Sequence, residues 1–481
     1  MATERASIHG QWSGRMAFVL AATGSAVGLG NIWKFPYITG KYGGGAFVLV
    51  YLICVVCIGI PIMMAEVMLG RRGRQSPINT MRALASDENR SRHWQYVGWA
   101  GVISGFLILS YYSIIGGWAL AYIFRTGSGL FHGQTMDGVS TLFSDFVSDP
   151  EHLLGWHTIF MAMTMIVVAR GVRSGLEQAV TYLMPALVLL LLVLVGYSMN
   201  EADFSAGLDY LFSPDFSKIT ANGVLVAMGH AFFTLSLGMG AIMVYGSYMP
   251  KNASIAKTSI AISLADTGVA LLAGMAIFPL VFTYGLEGHI SGDPGLLFNV
   301  FPYAFGQMPG GSFFGMLFFV LLLFAAWSSA ISLIEPAVAW LVENKGLNRV
   351  HASVWAGVTT WLLGVASIFA FTGVKLRDIF QHLSGIVGAD LNLEAKFFDL
   401  TFFNLIDYLT ANIMLPLGGL LIALFAGWQM SQQSSRDELA MAGSFSYSIW
   451  LLLVRFVTPI AVIVVFLNAV GFIPWLAKLG Q

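Results

Sequence analysis

The sequence predicts an all-α polytopic membrane protein of about eleven crossings, with the first and sixth crossings broken near mid-membrane. Three observations carry this expectation. Of its 481 residues 57% are hydrophobic and only 10% charged, whereas soluble domains carry about a quarter charged residues. The apolar residues gather into runs long enough to cross a hydrocarbon layer of about 30 Å. Two of those runs, five crossings apart, hold clusters of glycine and hydroxyl residues that disfavour continuous helix, each glycine by about 1 kcal/mol relative to alanine.

Taken in order, the runs lie near 14–38, 44–70, 96–125, 155–170, 176–199, 221–248, 256–285, 313–343, 352–371, 404–429 and 446–472. Arginines follow the second run densely (Arg71, Arg72, Arg74, Arg82, Arg90 and Arg92), and the wider Lys and Arg pattern favours a cytoplasmic N-terminus and an outer C-terminus. The polar start runs directly into the first span, so no cleavable leader is expected. Segment 127–154 reads as an outer loop, as do 286–312 and 372–403 with short helices. His132, His152 and His157 fall in or near the first of these loops, with no evident partner.

In span 1 the break is Gly24-Ser-Ala-Val-Gly-Leu-Gly-Asn31, and in span 6 it is Phe233-Thr-Leu-Ser-Leu-Gly-Met-Gly240. Backbone freed at bilayer depth is tolerated only where protein buries it or where it coordinates something polar. An odd separation implies two halves of inverted topology, approximately 12–199 and 220–429, followed by an extra helix at 446–472, all within one transporter domain spanning 1–481. In such folds substrate and coupling ions sit where the breaks meet. Small-residue pairs such as Gly24 with Gly28, or Gly101 with Gly105, also serve ordinary helix packing.

Other function classes find no support. A net charge of −1 leaves no basic run for nucleic acid. Cys54 and Cys57 lie in an apolar span and read as buried thiols. Gly43-Gly-Gly45 lacks the strand and helix of a phosphate loop, and no nucleophile and base stand at catalytic spacing, so no enzyme is expected. Glu66, an intramembrane carboxylate, should face the bundle. His230, one turn before Thr234, reads as a polar packing residue.

The motifs Trp12-x-x-Arg15, Gly24-x-Ala-Val-Gly-Leu-Gly-Asn-Ile-Trp-Lys-Phe-Pro36, Gly43-Gly-Gly-Ala-Phe47, Gly59-Ile-Pro-x-x-x-x-Glu66, Tyr111-Tyr112, Phe233-Thr-Leu-Ser-Leu-Gly-x-Gly240, Ser328-Ser329 and Arg455-Phe-Val-Thr-Pro459 resemble those of the neurotransmitter:sodium symporter family, particularly its bacterial amino-acid branch. The resemblance covers almost the whole chain. It implies a leucine-transporter-like 5+5 inverted repeat in a prokaryotic inner membrane, with alternating access driven by two sodium ions. A homodimer is compatible with it.

The resemblance assigns a first sodium site to the Ala26 carbonyl, Asn31, Thr234, Asp266 and the substrate carboxylate. It assigns a second to the carbonyls of Gly24, Val27 and Ala325 with the hydroxyls of Ser328 and Ser329. Oxygen donors suit a hard cation. Many relatives carry Asn at position 266, and chloride-dependent members bind a halide nearby. Asp266 would supply that negative charge itself, so no chloride requirement is expected.

The substrate expectation rests on Gly28, where monoamine-transporting relatives place an aspartate. A ligand with its own carboxylate fits there, held by Tyr112, amides around Leu29 and Gly30, and the first sodium. Its ammonium group would meet carbonyls near Ala26, Phe233 and Ser236, and its side chain Ile108, Phe233, Met239 and Leu333, with Ser236, Ser329 and Ser332 nearby and Thr234 alongside. No charge lines that end, so a hydrophobic L-amino acid is expected. Flexible Met239 widens the range to aromatic ones. A betaine- or GABA-like zwitterion, or a sensor that binds without transport, remains the alternative reading.

By the same resemblance Lys34 and Asp407 form an outer ion pair with Phe233 as lid. His9 and Glu343 stand in the inner gate where relatives pair Arg with Asp, supported by Tyr248 and Glu335. Histidine is only partly charged near neutral pH, and Arg5 lies four residues too early to replace it. Gly175 and Pro185 reproduce a spacing that implies local unwinding of span 5.

Overall fold

The computed structural model describes residues 5, 7–286, 288, 296–371, 373–378, 381, 400–441 and 445–469. Among them, nine stretches are long and apolar enough to cross a membrane: Gly45–Gly73, Arg92–Gly127, Pro150–Ala169, Val172–Glu201, Ile255–Thr283, Gly311–Lys345, Arg349–Phe371, Phe402–Gln429 and Phe445–Asn468. A tenth is the pair Arg15–Ala26 and Gly30–Lys41, bent by 52°. The sixth expected crossing consists of Ala221–Thr234 and Ala241–Ser247, each too short to cross alone, on either side of a six-residue break. The eleven spans are numbered in chain order, with these two as spans 1 and 6. The protein is a multi-pass membrane protein.

Both breaks have local causes. In span 1 the helix stops where Val27 turns extended, at φ −67° and ψ 112°, and resumes as a π-helical turn over Gly30–Lys34. In span 6, Ser236, Gly238 and Gly240 all take left-handed backbone, at φ 54°, 82° and 77°. Glycine adopts this without penalty; Ser236 does so with its hydroxyl donating to the Ser25 carbonyl at 2.7 Å. The freed Gly238 N–H donates to Glu66 Oε1 at 2.6 Å, so the buried carboxylate of span 2 satisfies the break in span 6.

The two glycine pairs of spans 1 and 3 part company. A side chain on Gly105 would put a Cβ 2.7 Å from the Leu333 carbonyl oxygen, so that glycine serves close packing of span 3 on span 8. Gly28 instead faces the Ser329 and Tyr112 hydroxyls. Outward-facing Ile53, Leu189, Leu192, Val354, Trp355 and Leu362 are exposed and give the bundle an apolar belt for lipid.

One expectation needs correction. Span 4 begins at Pro150, so His157 lies inside it, fully buried, with Nε2 3.2 Å from the Trp361 carbonyl. Span 5 opens with a π-helical segment, Val172–Glu177, that leads into an α-helix running through Pro185 to Glu201. The wider π-turn lets Gly175 and Leu176 both donate to the Gly171 carbonyl. Segment 286–312, expected to be an outer loop, contains short helices at Leu296–Val300 and Phe301–Gln307. Residues 382–399 of the other expected outer loop, and 470–472 of the last run, lie outside the described residues.

Candidate binding site for substrate and cation

The breaks in spans 1 and 6 meet against span 7. Asn31 Nδ2 donates to Thr234 Oγ1 at 3.1 Å, to the Asp266 carbonyl at 3.0 Å and to Asp266 Oδ1 at 2.8 Å. Thr234 Oγ1 donates to Asp266 Oδ2 at 3.0 Å, and the Gly28 N–H donates to Asn31 Oδ1 at 3.0 Å. Three of the four protein groups expected at a first cation site are thus in direct contact, and Ala26 lines the adjoining cavity. Asp266 is fully buried with only neutral donors around it, and a carboxylate in that position calls for a counter-cation. The Thr234 hydroxyl and the carboxylate and carbonyl oxygens of Asp266 are the oxygen donors that suit a hard monovalent ion.

The second group forms where span 8 crosses the same break. Ser329 Oγ donates to the Val27 carbonyl at 3.1 Å. Ser328 Oγ points back along its own helix, to the carbonyls of Phe324 at 3.0 Å and Ala325 at 3.2 Å. A Cβ on Gly24 would lie 3.3 Å from Ser328 Cβ, so the absence of a side chain there is what brings the two helices together. Gly24, Val27, Ala325, Ser328 and Ser329 therefore converge.

Between these groups lies a cavity of about 30 Å³ bordered by Ala26, Gly28, Leu29, Gly30, Ile108, Tyr112, Phe233, Thr234, Ser236, Met239, Ser329 and Leu333. Every residue expected to bind substrate is on that border except Ser332. Ser332 stands behind it, accepting from Ser25 Oγ at 2.8 Å and donating to the Ser329 carbonyl at 2.8 Å. The Leu29 N–H meets the Tyr112 hydroxyl at 3.2 Å. Sequence reasoning missed Ser25, which also borders the cavity; its place inside the helix-breaking cluster was the available signal.

Beyond Phe233 opens a larger chamber of about 370 Å³, lined by Trp33, Lys34, Tyr37, Tyr111, Phe403 and Asp407 among others. The broken-helix crossing thus sets oxygen-bearing groups beside a small cavity, with a larger chamber on the far side of Phe233.

A family model described as the sodium:neurotransmitter symporter family matches residues 9–132 and 131–475. The chain belongs to that family. The symporter is 38% identical over 466 residues to the uncharacterized sodium-dependent transporter YhdH of Bacillus subtilis, covering 96% of this chain and 98% of that one. A crystal structure of MhsT in complex with L-phenylalanine superposes with a TM-score of 0.83 at 40% identity, covering 96% of this chain and 99% of the other. More distant is the human sodium- and chloride-dependent GABA transporter 2, 26% identical over 74% of this chain and 67% of its own length. Family and fold are those of transporters, the fold is leucine-transporter-like, and sodium use follows from the family.

In this symporter the two ends differ. At the end where Lys34 and Asp407 line the chamber, no ion pair within 4.0 Å joins them among the described residues. Lys34 Nζ stands 4.2 Å from the Phe233 ring centre, and Asp407 Oδ1 accepts from the Tyr111 hydroxyl at 3.2 Å. At the other end the contacts are closed. Glu343 lies 3.0 Å from His9 Nε2 and also accepts from Ser76 N at 2.7 Å, Ser76 Oγ at 2.5 Å and Asn79 Nδ2 at 2.7 Å. Tyr248 donates to Glu335 Oε1 at 2.7 Å, and Glu335 Oε2 is paired with Arg349 at 2.5 Å, a partner the sequence did not suggest. Arg5 plays no part at Glu343, because it forms a two-pronged pair with Asp87 at 2.8 and 2.9 Å. His230 is wedged beside the rings of Phe35 and Tyr51.

Proposed function

We propose that the symporter imports hydrophobic L-amino acids, aromatic ones included, together with two sodium ions and without chloride, by alternating access from an N-in orientation in a prokaryotic inner membrane. Gly28 carries this reading. A Cβ there would come within 2.6 Å of Ser329 Oγ and 2.9 Å of the Tyr112 hydroxyl, so the position holds no side-chain charge for a substrate amine. A carboxylate brought by the substrate finds the Tyr112 hydroxyl, the Leu29 amide and the cation beside Asp266. Ile108, Met239, Leu333 and Phe233 offer the other end only apolar contact, and the similarity to a transporter solved with L-phenylalanine supports the same class.

Phe233 borders both cavity and chamber, so rotation of its ring joins the two spaces and admits a bulky side chain. Asp266 provides the fixed negative charge that would otherwise need a bound anion. The inverted halves 12–199 and 220–429 then tilt about the site, exchanging the open outer end for an open His9–Glu343 end. Two sodium ions with a zwitterion carry two charges. At about 2.3 kcal/mol per charge per 100 mV, voltage alone supports roughly thousandfold accumulation.

Proteoliposome uptake of labelled phenylalanine tests the proposal. Flux should require an inward sodium gradient, fail in potassium, and persist when gluconate replaces chloride. Binding without flux would indicate a sensor. Sodium-dependent thermal stabilisation by GABA or betaine but by none of the hydrophobic amino acids would move the substrate to the other zwitterion class.

A further inference from the structure

We propose that the groove between spans 4, 5 and 8, at the end of the bundle occupied by His9, is a binding site for an anionic phospholipid. The groove encloses about 250 Å³ and is bordered by Val167 and Arg170 from span 4 and its end, Ser174, Gln178, Tyr182 and Leu183 from span 5, and Trp327 from span 8. Its chemistry is graded along the membrane normal. Arg170, Ser174 and Gln178 cluster at the end where spans 4 and 5 join, and Val167, Ala179, Tyr182 and Leu183 continue it inward as an apolar wall. A helix rises 1.5 Å per residue, so Tyr182 lies about 15 Å deeper than Val172, within reach of an acyl chain and out of reach of a soluble anion.

Charge selects the headgroup. The neighbouring basic residues are engaged elsewhere: Arg173 donates to the Gln11 carbonyl at 2.9 Å, and Arg349 is paired with Glu335. Glu177, the acidic residue of the same turn, accepts from the Ser13 N–H at 2.9 Å. Arg170 makes no ion pair among the described residues, and no carboxylate borders the groove. At the inner wall the Trp327 indole N–H is buried without a hydrogen-bond partner among the described residues, a donor suited to a lipid ester oxygen. Basic pockets between spans near the membrane surface suit anionic headgroups. The occupant braces the π-helical turn Val172–Glu177 against span 4, whose Val167 carbonyl already lies 2.1 Å from where a Gly175 Cβ would stand.

Native mass spectrometry of the full-length protein tests this, with dioleoyl phosphatidylglycerol and dioleoyl phosphatidylcholine as competing probes. Phosphatidylglycerol should be retained preferentially. Arg170→Gln should lower that retention about fivefold, Arg170→Lys should preserve it, and Trp327→Phe, which removes the N–H together with part of the ring, should lower it about threefold. Melting temperatures report whether each variant is folded. A phosphatidylglycerol carrying a diazirine on its acyl chain should label residues 167–183. Equal retention in Arg170→Gln, labelling confined to other spans, or displacement of the lipid by millimolar inorganic phosphate would each overturn the assignment.

Discussion

The Lys34 ammonium rests 4.2 Å from the centre of the Phe233 ring, so this cation is seated on the aromatic face and not on the Asp407 carboxylate. Such a contact is worth about 0.5–2 kcal/mol. Lys34→Gln should therefore release bound amino acid about fivefold faster, at 0.5–2 kcal/mol per lost contact, as read by dissociation of labelled phenylalanine. Lys34→Arg should slow release instead, since guanidinium both stacks on the ring and can reach Asp407 as a fork.

Asp266 accepts from Asn31 and Thr234 simultaneously. Hydrogen bonds to a charged group contribute about 1.5–3 kcal/mol, and Asp266→Asn removes that charge along with the counter-charge for a cation. The sodium concentration giving half-maximal thermal stabilisation should rise at least about tenfold, a factor that about 1.4 kcal/mol produces. An unchanged sodium titration would remove Asp266 from the site.

Gly28→Ala should place a methyl 2.6 Å from Ser329 Oγ and 2.9 Å from the Tyr112 hydroxyl. Overpacking of this kind costs about 1–3 kcal/mol. Apparent affinity for phenylalanine is expected to fall about tenfold or more, measured by equilibrium binding in saturating sodium. Gly105→Ala, which would press on the Leu333 backbone, should instead lower the melting temperature.

Glu343 gathers four contacts from His9, Ser76 and Asn79, tying the N-terminal segment to the stretch after span 2. Glu343→Gln keeps the shape and removes the charge. Amide hydrogen exchange over residues 12–18 should accelerate about tenfold, given about 1.5–3 kcal/mol per hydrogen bond to a charged group. Exchange at wild-type rates would mean that the Trp12 N–H to Tyr248 carbonyl bond, 3.0 Å, holds that end closed without Glu343.

The sequence by itself determined where the helices fail. Glycine, serine and asparagine weaken helix locally, so the breaks at 24–31 and 233–240 are written in adjacent residues and need no tertiary partner to be read. The same holds for the membrane class and the crossing order, which follow from the length and polarity of successive runs.

What only the tertiary structure decided is which groups face one another once those segments pack. Glu66 reaches Gly238 across 172 residues. Ser332 turns to Ser25 and away from the cavity, Lys34 settles on Phe233, and Arg5 goes to Asp87, leaving Glu343 to His9. Each outcome depends on helix rotation and crossing geometry, which place side chains distant in sequence within about 3 Å of a hydrogen-bond partner. Local periodicity carries no information about those rotations, because they are fixed by the packing of the whole bundle.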